Sequence, residues 1–237
     1  MPSRICLALD CPTTAQAYRL TRALGKRCYA VKIHSLFDAE GGRRIVGTLL
    51  NAGAKRVWVD AKLHDTPKAA AKRAAAIACY GAHIISVHAS GDVPMMKAVV
   101  DRLNTTFGSG AVSVWAITLL TSLESRGIAR IYGRGRTPQE IVTELALMAK
   151  EAGLKCVVCS PWEVKLLSKH PNLQGLELVT PAVRSEKVNA GDHKRFSTPK
   201  KAIDSGANLI VVGEEVTEAE DPVAAFNAIE KEIADIS

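Results

Sequence analysis

Long apolar runs are missing from this chain. No stretch of its 237 residues approaches the roughly 20 consecutive apolar positions that a membrane-spanning helix needs, so no membrane partner is expected. The opening residues Met1-Pro2-Ser3-Arg4-Ile5-Cys6 lead straight into a strand, without the basic, apolar and small-residue regions of a secretory signal. Aromatic residues are scarce, at 5%, and the basic residues are spread along the chain, which leaves little for nucleobases to stack on. The formal charge of +7 therefore points to a small anionic ligand, and nucleic acid is not an expected partner. Zinc-site spacing is also absent. His34, His64, His83 and His88 fit no such motif, and Lys32 beside them would oppose a cation, so no metal is expected. Cys156 and Cys159 have the CxxC interval, but residues three apart on an apolar strand face opposite sides. The six scattered cysteines fit a reducing, cytoplasmic compartment.

What is present is an ordinary globular composition, 47% hydrophobic and 23% charged, in a length that suits one α/β barrel or two small domains. A repeat decides between them. Gly53-Ala54, Gly81-Ala82, Gly153-Leu154 and Gly206-Ala207 each close a helix just before a buried strand. Apolar runs at 5–9, 29–33, 56–60, 81–88, 112–117, 155–159, 176–179 and 209–212 read as eight strands, each followed by a helical pattern. Thr121-Ser122 suits the cap of a short extra helix, 127–136 reads as a glycine- and arginine-rich loop, and 182–197 as the longest loop. Strands apolar on both faces belong to parallel sheets covered by helices. With no long linker between halves, the expectation is a single (β/α)8 TIM barrel over residues 1–237.

The chain is organised around Val57-Trp58-Val59-Asp60-Ala61-Lys62-Leu63-His64-Asp65-Thr66-Pro67, a buried strand that ends in charge. Alternation along a strand turns Asp60 and Lys62 to the same side. Asp65 falls at a helix start, two residues before Pro67. Barrel enzymes keep their chemistry at the C-terminal strand ends. Here those ends read Asp10, Lys32, Asp60 with Lys62, His88, Thr118, Ser160, Thr180-Pro181 and Gly213. Each has a plain reading alone: Asp65 as a helix cap, Asp10 as a polar strand end, Lys62 as an ion-pair partner. Two lysines and two acids around one small cavity ask for chemistry.

Asp60-Ala61-Lys62-Leu63-His64-Asp65, with Lys32 one strand earlier and Asp10 two strands earlier, resembles the orotidine 5'-monophosphate decarboxylase family. The likeness runs through Trp115-Ala116-Ile117-Thr118, Val158-Cys159-Ser160-Pro161, Val179-Thr180-Pro181, Thr198-Pro199, Val211-Val212-Gly213 and Asp221-Pro222, essentially the whole chain. The resemblance implies a cofactor-free decarboxylation of orotidine monophosphate to uridine monophosphate. Lys62 would deliver the proton to C6, Asp60 would face the substrate carboxylate, and Lys32 and Asp10 would hold the ribose and the charge network. Asp65 would reach across the interface of a homodimer. Thr66, Thr118, Pro181, Arg184, His193, Gly213 and Glu214 would line the substrate.

The likeness breaks at the phosphate end. After Val212-Gly213 the family has an arginine, and this chain has Glu214 and Glu215. A carboxylate there repels a dianion that a guanidinium would grip. The family's glutamine contact is replaced near His193, Pro-Gly-Ile-Arg becomes Pro181-Ala182-Val183-Arg184, and Thr66-Pro67-Lys68-Ala69 lacks a family hydroxyl. Three readings follow: a decarboxylase that holds its phosphate by other means, with Gly213, Arg184, Lys194 or Arg195; a relative acting on a different or unphosphorylated substrate; and a silent barrel used for binding.

Overall fold

Eight short strands close into an all-parallel barrel in chain order. They are β1 (Ile5–Ala8), β2 (Ala30–Ile33), β3 (Val57–Leu63), β4 (Ile84–His88), β5 (Ser113–Ile117), β6 (Cys156–Val158), β7 (Glu177–Thr180) and β8 (Leu209–Val212), which pairs back onto β1. The helices between and after them are α1 (Thr14–Leu24), α2 (Ser35–Ala39), α3 (Arg43–Asn51), α4 (Pro67–Cys79), α5 (Asp92–Phe107), α6 (Ser125–Tyr132), α7 (Pro138–Glu151), α8 (Pro161–Lys169), α9 (Pro199–Asp204), α10 (Glu214–Thr217) and α11 (Pro222–Ala234). This computed structural model describes residues 3–11, 13–39, 41–185 and 196–234. The expected eight-strand (β/α)8 barrel is the architecture observed. Among the described residues no helix is long and apolar enough to cross a membrane.

Strand alternation sorts the apolar residues into two layers. Cys6, Ala30, Trp58, Trp115, Cys156 and Val211 turn inward and pack together along the barrel axis. Ile5, Val31, Val57, Ile85, Val157 and Val212 turn outward and pack beneath the helices. Cys156 is in the inner layer and Cys159 in the outer, so the CxxC pair spans the sheet as its spacing predicts, and neither cysteine is in a disulfide. A column of rings fills the lower axis. Trp58 meets Trp115 edge-on at 4.6 Å, Trp115 stacks on Tyr29 at 6.2 Å, and the Arg56 guanidinium lies 4.5 Å over Tyr29. Edge-on and stacked rings with a cation on the last are favourable geometries for aromatic packing.

Hydroxyl caps start several of the helices that leave the strand ends. The Thr13, Thr137, Ser160 and Thr198 hydroxyls accept from backbone N–H groups of the first turns of α1, α7, α8 and α9. Thr137 and Glu140 cap each other reciprocally. At the far ends, Gly53, Gly81, Gly153 and Gly206 all have positive φ, between 87° and 109°. At Gly206 the requirement is double, because a Cβ would come within 2.7 Å of the Ser168 side chain.

Four local expectations need correction. The loop expected over 127–136 begins as helix α6, whose N-cap is Glu124, not Thr121 or Ser122. Ile128 is the buried apolar residue of α6 and Ile131 is 63% exposed, so the helix is held by few apolar contacts and the surrounding glycines and arginines hide it. The short α2 and α10 are missed as well. Asp65 is not the N-cap of α4; Thr66 is, and Asp65 instead accepts from the Thr66 N–H at 2.6 Å.

Among the described residues, Lys62, Asp92 and Ala182 are non-glycine positions with positive φ, where backbone strain is stored. Ala182, buried just after β7, has φ +59°, a left-handed conformation that costs an L-residue about 1–2 kcal/mol. Glycine relieves that strain but loses more chain entropy on folding, so Ala182→Gly is expected to stabilise by about 0.5–1 kcal/mol. The check is the urea midpoint at unchanged slope. A lower midpoint would mean that packing of the methyl group outweighs the strain.

Candidate active site

The site starts from a break in the barrel ladder. Val59 pairs with Ile85 and Leu63 with Val87, so four steps on β3 face two on β4. The extra residues bulge, and Lys62 takes φ +46°. Alternation still holds for the side chains, since Asp60 and Lys62 both face the cavity, but the backbone is not the regular strand expected. The bulge frees the Lys62 N–H from the ladder, and it donates to Ser86 Oγ at 3.1 Å. Ser86 Oγ in turn donates to Asp60 Oδ1 at 2.6 Å. Beneath them, His34 Nδ1 lies 2.8 Å from the Asp60 carbonyl oxygen.

Two ammonium groups share the other oxygen of Asp60. Lys62 Nζ donates to Asp60 Oδ2, and Lys32 Nζ stands 3.6 Å from the same atom. Lys32 also donates to both oxygens of Asp10, at 3.1 and 3.2 Å. The result is a chain of alternating charge, Asp10–Lys32–Asp60–Lys62, across the ends of β1, β2 and β3. Burial alone would raise the Asp60 carboxyl. The Lys32 and Lys62 charges and the hydrogen bonds from Lys62 and Ser86 more than offset this and hold it below the usual carboxylate range. Beside the group, His88 packs edge-on against His64 at 5.8 Å. Its burial first, then the nearby His64 and Lys62, lower the His88 pKa, and Asp60 opposes that shift.

These residues line a cavity of about 410 Å³ at the C-terminal end of the barrel. Asp10, Lys32, Asp60, Lys62, Pro181, Arg184, Gly213 and Glu214 all contribute to its wall, above a floor that includes Trp58. On the β7–β8 side, Arg184 pairs with Glu214 at 2.7 Å, and the Ser185 N–H donates to Glu215 at 3.0 Å. Other expected residues stand elsewhere. Thr118 is buried with its hydroxyl donating to the Val158 carbonyl at 2.7 Å, away from the cavity lining. Asp65 and Thr66 are exposed at the head of α4, outside the cavity. His193, with Lys194 and Arg195, lies outside the described residues.

Sequence reasoning missed Ser86, the hydroxyl that ties the bulge to Asp60. Its signal was available: a hydroxyl at an inward position in the middle of the strand Ile84–His88. Glu215 was noted as a charge but not as a partner of the loop after β7. Among the described residues, no group of three or more histidine, cysteine or acidic side chains is arranged to hold a metal ion. Chemically, the site can place a fixed ammonium against developing negative charge at the wall of the cavity.

Residues 3–229 match a family model described as orotidine 5'-phosphate decarboxylase / HUMPS family. A protein of Pseudoalteromonas translucida (strain TAC 125) named orotidine 5'-phosphate decarboxylase is 37% identical over 97% of each chain. One of the same name from Nitrosococcus oceani is 35% identical over 99% of each. The crystal structure of orotidine 5'-phosphate decarboxylase from Lactobacillus acidophilus superposes with a TM-score of 0.81 at 32% identity, covering 98% of this chain and 99% of that one.

Removing the Ser86 hydroxyl leaves the Lys62 N–H and one oxygen of Asp60 without this partner, so Ser86→Ala is expected to cost about 1–3 kcal/mol at neutral pH by urea unfolding. A loss within experimental error would separate Ser86 from the network. Because folded Asp60 titrates below its unfolded value of roughly 4, its contribution is complete above that pH and is lost as pH falls through the folded value. Unfolding free energies of Asp60→Asn measured against pH should therefore show a shallower acid limb than the parent. Parallel curves would contradict the assignment.

Proposed function

The chain belongs to the orotidine 5'-phosphate decarboxylase / HUMPS family, and from that premise we propose that it converts orotidine 5'-phosphate to uridine 5'-phosphate and carbon dioxide, without a cofactor and with Lys62 as the proton donor. The observation that carries this reading is the Asp10–Lys32–Asp60–Lys62 chain, which sets two ammonium groups around one buried carboxylate at the cavity wall. Asp60 faces the substrate carboxylate, and repulsion between the two favours its departure as carbon dioxide. The C6–carboxyl bond breaks, its electron pair stays on C6, and the Lys62 ammonium both stabilises that charge and gives up a proton to form the C6–H bond. Solvent then reprotonates Lys62. Ser86 and the bulge aim the ammonium, and Lys32 and Asp10 hold the ribose and keep Asp60 compensated.

At the other wall, Arg184 is the cation among the described lining residues that would meet the phosphate, with Pro181, Gly213 and Glu214 around it. Of the other substrate residues carried from the family resemblance, His193 would join them, whereas Thr66 and Thr118 stand off the wall of this cavity. Asp65 serves the site of a second copy in a homodimer, which its exposed position outside its own cavity supports. The reducing cytoplasm suits a chain whose six cysteines form no disulfide. A second reading, an unphosphorylated or otherwise altered substrate, has one observation in its favour: Glu214 and Glu215 at the end of the cavity where a phosphate would sit.

Turnover is followed as loss of orotate absorbance from orotidine 5'-phosphate. The parent protein should be active, and Lys62→Ala should lower kcat by about 10²–10⁴-fold, the usual weight of a positioned acid. Absence of turnover in the parent, or full activity in the variant, overturns the proposal. For the shared Asp65, mixing inactive Lys62→Ala and Asp65→Ala proteins should restore about a quarter of parental activity, because half of randomly paired two-fold dimers are mixed and each carries one intact site. If the mixture stays inactive after subunit exchange, Asp65 acts within its own chain or not at all.

A further inference from the structure

The cavity carries charge on two opposed walls. In a closed eight-strand barrel, β7 stands four strands from β3, so Arg184 after β7 faces the Lys62 wall across the mouth. The two cations differ in how their charge is met. Lys62 is held by Asp60, which is itself buried. The Arg184 side chain is 12% exposed, and Glu214, which it contacts at 2.7 Å, is 58% exposed. A guanidinium so far removed from water needs a counter-charge. A carboxylate more than half in water can leave at little solvation cost. Glu215 holds the Ser185 N–H, so the neighbouring backbone stays in place when Glu214 moves.

We propose that Glu214 is an internal anion that occupies Arg184 until an anionic group of the ligand displaces it, and that this exchange sets the specificity of the cavity. The inference rests on the reading that a nucleotide enters here. A phosphate dianion brings more charge than the Glu214 monoanion and matches the guanidinium fork, so it can take the place. A neutral hydroxyl at the same position cannot. The competition lowers apparent affinity for the nucleotide by the fraction of molecules in which Glu214 holds Arg184. It also has a thermodynamic signature: removing the Glu214 charge should help a phosphorylated ligand and not its unphosphorylated analogue, and only while Arg184 is present.

Isothermal titration with uridine 5'-monophosphate and with uridine tests this without requiring turnover. Glu214→Gln keeps the size and a hydrogen-bond acceptor but removes the charge. It should raise the ratio of nucleotide to nucleoside affinity by about 10-fold, the effect of one partly exposed charge pair. Arg184→Gln should lower that ratio, and in the double variant the Glu214→Gln gain should vanish. The proposal is overturned if Glu214→Gln leaves the ratio within twofold of the parent, lowers it, or gives the same gain without Arg184. A protein that shows the expected binding pattern but no turnover of orotidine 5'-phosphate would refute the proposed reaction and keep the exchange. Turnover with an unchanged ratio would do the reverse.

Discussion

A carboxylate taken almost wholly out of water must be met by positive charge and hydrogen bonds, and Asp60 is such a group. One of its oxygens faces Lys62 and Lys32, and the other accepts from Ser86. Breaking a buried pair by removing one member typically costs several kcal/mol, so these side chains stand or fall as a set. The β3 bulge, the left-handed Lys62 and the inward Ser86 all serve to bring donors to that one carboxylate. Strain at Lys62 is tolerable because the surrounding contacts over-determine its position. The same arrangement leaves an ammonium facing an open cavity, which is what a proton-delivering site requires.

The barrel makes this arrangement possible by separating two tasks. Its outer layer is apolar on both the strand and the helix side and carries the folding energy. Its inner layer is apolar only in the lower part, where the ring column sits, and becomes charged at the strand ends. Position along each strand therefore decides whether a residue serves stability or chemistry. On β2, Ala30 packs inside and Lys32, one inward step later, reaches the cavity.

Much of this was legible from residue order. The eight strands follow from apolar runs bounded by glycine stops, and the meeting of Asp60 with Lys62 follows from alternation. The opposite faces of Cys156 and Cys159 follow from the same rule. Signals failed where structure is held by few or distant contacts. The short helix α6 buries Ile128 alone of its residues and lies among glycines and arginines, and the bulge of β3 shows only when its partner strand is known. The Arg184–Glu214 pair joins residues 30 positions apart, and no local pattern announces it. Glu214 by itself read as a defect in a phosphate site. Beside Arg184, it reads as that residue's counter-charge.

The column from Trp58 through Trp115 to Tyr29, with Arg56 on the outermost ring, packs the base of the barrel below the cavity. Trp58 and Trp115 are almost completely enclosed, so nothing passes through the base of the barrel. Among the described residues, a ligand of the cavity therefore comes and goes on the strand-end side of the barrel. On that side the Arg184–Glu214 pair forms part of the cavity wall.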